Sequence, residues 1–331
     1  MHGERFDIAA TRDRRLAGKS VSSLAFMVDR RWNEDVTLPI GFLLNSFPLR
    51  TTSVTQPRVV KFDILQGDAF EGFVLTQGEN FWVLLSEGML KKSIEVTRNL
   101  VSLLADSEQS MISPQNQLKF LRLSSYFVLE LLISHELYHI SQGHVGYLCE
   151  TIGVGPAEFN VPGSMKTRSM ELLVDEASIT SATARTIHNK WYVIPPETPE
   201  YFTQMEMLDA LSISVIGYVT CLSSASPLGS DAYPSLRARL IRIGDIYPQA
   251  MASSGLNPYE VFERFRDNFA IAKTAWHQLD PGGLSSIGPI LEGLHDVNAI
   301  NRARAEIGLI CDEIRQNLPH WQPYKCQIVP W

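Results

Sequence analysis

Apolar and polar positions alternate between residues 57 and 86 in a way that predicts strands. "PRVVKFDIL", "EGFVLT" and "FWVLLS" are β-branched or aromatic runs, and "QGD" and "QGEN" between them supply the glycines and polar residues of tight turns. Three such runs predict a β-meander, a small antiparallel sheet. After Gly88 the period lengthens. "MLKKSIEVTRNLVSLLADSEQ" carries apolar residues at 90, 94, 96, 100, 101, 103 and 104, the spacing of an amphipathic helix.

"SPQNQLKFLRLSSYFVLELLISHELYHISQGH" offers Ser113 as an N-cap, Pro114 in the first turn and Gly143 as a terminator, which predicts a helix over about 114–142. It is apolar on most faces from 126 onward, so it should be a buried central helix. "ETIGVGPAEFNVPGSMKTRS" is rich in glycine and proline and reads as loop. "MELLVDEASITSATARTIHNKW" restores helical spacing, and "IPPETPE" breaks it. From 201 onward helix-like stretches alternate with short breakers, without a repeat. The expected fold is α+β and predominantly helical, with an N-terminal region over 1–112 (meander and helix) and a mainly helical core over 113–331.

Composition narrows the function classes. Among 331 residues, 45% are hydrophobic and 20% charged, the balance of a globular protein with a sizeable core. The net charge of −7, with no basic cluster longer than Arg12, Arg14 and Arg15, argues against nucleic acid as the primary ligand. "MHGERFDIAATRDRRLAGKS" lacks the apolar stretch of a secretory signal. The apolar runs "YFVLELLIS" and "LDALSISVIGYVTCL" are too short for a bilayer, and Asp209 interrupts the second. A cytoplasmic protein without a membrane partner is expected. Cys149, Cys221, Cys311 and Cys326 form no C-x-x-C pair, so neither a disulfide framework nor a cysteine zinc site is indicated.

The chemistry concentrates in "LISHELYHISQGH". His135, Glu136 and His139 form H-E-x-x-H, and residues four apart on a helix share a face, so both imidazoles can aim at one point. Glu136 stands about 100° round from His135, placed to orient a metal-bound water without ligating the metal. Two histidines and a glutamate in an apolar helix carry a large desolvation penalty unless something pairs with them. A chance occurrence of the motif is expected in roughly one such chain in a hundred.

A catalytic zinc normally takes three protein ligands. The metzincin pattern is excluded, because position 142 is Gln and 145 is Val. His144 would lie about 140° round from His139 if the helix continued, but Gly143 ends it first; a structural role near the helix end, on backbone, is the favoured reading. In "MELLVDEAS", Glu171 and Asp175 share a helical face, so one could ligate zinc while the other accepts the free N–H of a ligating imidazole. Such a pair is more often solvated, yet Leu172, Leu173, Val174 and Ala177 make these surroundings apolar.

"HELYHISQGH" followed by "ELLVD" resembles the gluzincin metallopeptidases, and the form H-E-x-x-H-x-x-x-G-H is similar to the M48-type and the soluble Lit-like peptidases, the latter associated with phage exclusion. "YPSLRAR", residues 233 to 239, resembles the H-P-x-x-x-x-R segment of M48-type relatives, with Tyr233 in place of the histidine. The resemblance covers approximately residues 80 to 240. It implies a zincin-like fold with a small antiparallel sheet packed on the active-site helix, Zn2+ as cofactor, His135, His139 and Glu171 as metal ligands, Glu136 as general base and Asp175 behind a ligand. It also implies a protein or peptide substrate lying extended along a sheet edge, for which "GENFWVLLS" is the expected edge strand.

The resemblance implies a zinc-dependent endopeptidase with a regulatory or phage-defence role. Glu136 takes the proton of the attacking water and passes it to the leaving amine. Tyr233 or Arg239 would supply a donor to the developing oxyanion, although a Tyr-Pro at a helix start and an exposed arginine explain the same residues without catalysis. Phe81 and Trp82 either flank the cleft or belong to the core. His188, His277, His295 and His320 have no ligand-like spacing. The competing class is a non-catalytic interaction or immunity protein with a structural or vestigial metal site.

Overall fold

The computed structural model describes most of residues 5–22, residues 50–51, most of 58–106, residues 112, 116–145, 165–188 and 204–225, and scattered positions from 239 to 308. Its elements are β1 (Val21–Ser22), β2 (Arg50–Thr51), β3 (Arg58–Leu65), β4 (Gly72–Gln77), β5 (Asn80–Ser86), α1 (Glu87–Asp106), α2 (Gln117–Ser141), α3 (Met165–His188) and α4 (Gln204–Ala225). The fold is α+β and predominantly helical, as its patterning predicts.

The sheet is not a meander. Its order is β1-β3-β5-β4, with β2 also on β3, and β5 runs parallel to β3 but antiparallel to β4. The β4–β5 hairpin forms as expected: Gln77 pairs with Asn80 across a two-residue loop whose Gly78 has φ +61°. The expected β3–β4 hairpin does not. Residues 66–71 instead cross the end of β5, where the Ser86 hydroxyl donates to the Ala69 carbonyl at 2.5 Å and accepts the Glu71 N–H at 3.1 Å. Gly88 N–H donates to the Gly67 carbonyl at 2.9 Å, and a Cβ on Gly88 would stand 2.2 Å from the Asp68 carbonyl oxygen. The polar end of β5 and a glycine in the first turn of α1 thus hold the crossover that lets β5 enter between β3 and β4. "NFWVLLS" is consequently an interior strand, and β4 is the edge among the described strands.

Alternation along β5 sends side chains to two cores. Phe81, Val83 and Leu85 face the helices, whereas Trp82 and Leu84 pack with Phe73 and Leu75 against Phe6 and Leu16 of the N-terminal segment. Phe81 and Trp82 are each 1% exposed, so both belong to the core.

The central helix α2 begins at Gln117 with Asn116 at the cap position, rather than at Pro114, and no side chain caps it; residues 113–115 lie outside the described residues. It packs against α1, α3 and α4 and against the β4–β5 edge of the sheet. Phe127, Leu129, Leu132 and Ile133 have no exposed surface, and burial of each such side chain is worth about 1.5–3 kcal/mol. Ser214 of α4 donates to the Ser124 carbonyl of α2 at 2.9 Å, a polar tie between buried helices. α3 starts at Met165, five residues before the expected position. No helix among the described residues is long and apolar enough to cross a membrane. Asp209 on α4 is buried and paired with Arg264 and Asn268.

Candidate metal centre

One helical turn separates His135 from His139 on α2, and one turn separates Glu171 from Asp175 on α3, so the packing of the two helices brings a pair of imidazoles to a pair of carboxylates. Gln142 at the end of α2 donates to the Leu173 carbonyl at 3.4 Å and ties the helices there. Three of the four side chains converge. His135 Nε2 lies 3.3 Å from His139 Nε2 and 3.2 Å from Glu171 Oε2, and His139 Nε2 lies 3.4 Å from Glu171 Oε1.

These separations test whether a cation fits. An ion bound tetrahedrally at about 2.0–2.1 Å keeps its donors roughly 3.3 Å apart. The His135, His139 and Glu171 donors meet that spacing, and the group could hold a metal ion. At 3.3 Å the two imidazole nitrogens are held either by a proton on one of them or by a cation between them.

The side chains behind the group fix its orientation. His135 Nδ1 lies 3.0 Å from Asp175 Oδ1, so with its N–H there the ring presents Nε2 forward. Asp175 Oδ1 also accepts the Tyr218 hydroxyl at 2.6 Å, and its Oδ2 accepts from the Arg239 guanidinium. Tyr218 Oη stands 2.7 Å from His135 Nδ1, closing a triangle of polar atoms in a site where Tyr218 has no exposed surface. Asp175 thus lies on the Nδ1 side of the His135 ring, with Glu171 on the Nε2 side.

Electrostatics follow from burial against charge. Burial opposes a charge on His135, but hydrogen bonds to Asp175 and Glu171 outweigh it and push its pKa up to about 10. Burial dominates at His139, with the neighbouring His135 adding to it against the pull of Glu171, and brings it down to about 4. Burial would raise Glu171, yet His139, His135 and Arg239 hold its carboxyl well below the usual range.

Glu136 is not one of the three donors. It is 8% exposed and lies under the edge strand, where Gly72 leaves room for its carboxylate. Arg239, read from sequence as an oxyanion donor or else an exposed arginine, is 1% exposed and is engaged by Asp175 and, at 3.4 Å, by Glu171, so it is not an exposed residue. Tyr233 lies outside the described residues. His144 is not among the three donors, and its partner among the described residues is the ring of His139, where the sequence reading favours backbone.

Sequence reasoning missed Tyr218 and Gly72. A tyrosine inside the apolar run "SISVIGYVTCL" was the available signal, because a buried phenol needs a hydrogen-bond partner. Gly72 gave none, since its meaning depends on which strand forms the edge. Searches against protein families, curated proteins and solved structures find no match to this chain, so the donor geometry stands on its own.

Proposed function

We propose that this chain is a zinc-dependent endopeptidase of zincin-like architecture that hydrolyses a peptide bond in a protein substrate. The observation that carries the reading is the 3.2–3.4 Å spacing of His135, His139 and Glu171, with the carboxylate of Glu136 next in sequence to a donor and under a sheet edge. Two neutral nitrogens and one carboxylate form the donor set of a hydrolytic zinc site. A zinc ion held there would polarise a carbonyl and lower the pKa of water toward 7.

The chain's own residues do the rest. Glu136 accepts the proton of the attacking water and returns it to the leaving nitrogen. Asp175, Tyr218 and Arg239 hold His135 and Glu171 in their orientations. β4 pairs with β5 on one side, and its other side is the edge along which an extended peptide could lie by main-chain hydrogen bonds.

The experiment is a comparison of zinc content and peptide hydrolysis in the intact chain, Glu136→Gln and Glu171→Ala. Glu136→Gln keeps stoichiometric zinc and loses turnover by about 10²–10⁴-fold. Glu171→Ala loses both. Zinc binding without hydrolysis by the intact chain would instead favour a structural metal in an interaction protein.

A further inference from the structure

We infer that His144 is a positioning residue of the metal centre, the buried acceptor that fixes His139 in its metal-binding tautomer. The inference rests on the metal reading above. α2 ends at Ser141, and Gly143 takes the left-handed conformation, φ +76°, with its N–H on the Ile140 carbonyl at 3.0 Å. That reversal brings the next residue back toward the helix. His144 Nδ1 lies 3.1 Å from His139 Nδ1, with ring centroids 5.2 Å apart and no exposed surface on His144.

Two Nδ1 atoms at that distance share one proton. His139 directs Nε2 at the His135 and Glu171 donors. A lone pair on that nitrogen, as a ligand needs, places the proton on Nδ1, where it is donated to His144. His144 then accepts at Nδ1 and carries its own proton on Nε2, an atom that is buried without a hydrogen-bond partner among the described residues. A buried imidazole with one nitrogen unpartnered is a poor choice for stability. It is a sound choice for holding a ligand, and it matches on His139 what Asp175 does for His135.

The test uses the full chain and Zn2+ alone, with affinity measured by competition against a chromophoric chelator, for the intact protein, His144→Leu and His144→Asn. Leucine removes the acceptor, whereas the asparagine carbonyl can replace Nδ1. The expected result is a 10–100-fold weaker affinity for His144→Leu and a change within about threefold for His144→Asn. The metal-free melting temperature of His144→Leu should equal or exceed that of the intact chain, which loss of a purely structural residue would not give. Unchanged zinc affinity in His144→Leu, or equal weakening by leucine and asparagine, overturns the inference alone. No zinc binding by the intact chain overturns the proposed function as well. Should His144→Leu fail to fold, nitrogen-15 spectra of the zinc-loaded intact chain decide: a proton on His139 Nδ1 supports the assignment, and one on Nε2 overturns it.

Discussion

Glu136 Oε1 lies 2.4 Å from the point where a Cβ on Gly72 would stand. The first residue of the edge strand therefore has no side chain because the carboxylate of the central helix fills its place. The backbone of Gly72 is not in the left-handed region, so alanine is allowed there except for this contact. Gly72→Ala should displace Glu136 and lower hydrolysis by roughly 10²-fold, with zinc content unchanged. Parallel assays of turnover and bound metal check it, and full activity would show that Glu136 needs no such space.

Arg239 is a cation buried against Asp175 and Glu171. Arg239→Met leaves those carboxylates uncompensated and should destabilise the fold by about 3–5 kcal/mol while weakening zinc binding. Denaturant titration of the metal-free chain measures the first effect. A donor to the oxyanion would behave differently, costing turnover and leaving stability intact.

Asp209, inside α4, receives the Arg264 side chain through Nε at 2.6 Å and a second nitrogen, and Asn268 Nδ2 at 3.2 Å. This carboxylate docks a downstream segment on the helix bundle. Arg264→Ala should cost about 2–3 kcal/mol, below the full range for a buried pair because Arg264 is partly exposed to water. Asp209→Asn should cost less, since the amide oxygen still accepts and leaves Arg264 access to solvent. Thermal or denaturant midpoints of the two variants give the order.

Asp63 Oδ2 accepts the Phe6 N–H at 2.8 Å, fastening the N-terminal segment to β3. Burial raises its pKa above the ordinary 3.8, against the lowering effects of that hydrogen bond and of Arg5. A carboxyl raised on folding favours the native state when protonated; that contribution is full below pH 3.8 and fades as pH rises through the folded value. Asp63→Asn, which can still accept from Phe6, should thus gain stability over the parent at pH 7 and lose that advantage near pH 3.5. Melting temperatures at the two pH values test the sign.

Much of this was legible from one chain. The helices α1, α2 and α3 follow from apolar patterning and end signals, and the shared faces of His135 with His139 and of Glu171 with Asp175 follow from residues four apart, whereas the approach of the two helices does not. Strand existence was legible and strand order was not. Alternation places residues on faces but says nothing about which strand is the neighbour, and that is decided by Ser86 and Gly88 holding a crossover from 15 to 21 residues earlier. The partner of His144 was hidden for a related reason, since a left-handed glycine sends the next side chain where helical geometry does not reach.

Asp175 draws its three donors from α2, from α4 and from residue 239. A nascent chain would thus have delivered every described helix of the bundle before the cation that balances this carboxylate emerged. The centre is completed only by residue 239, after the helices that enclose it have already been made.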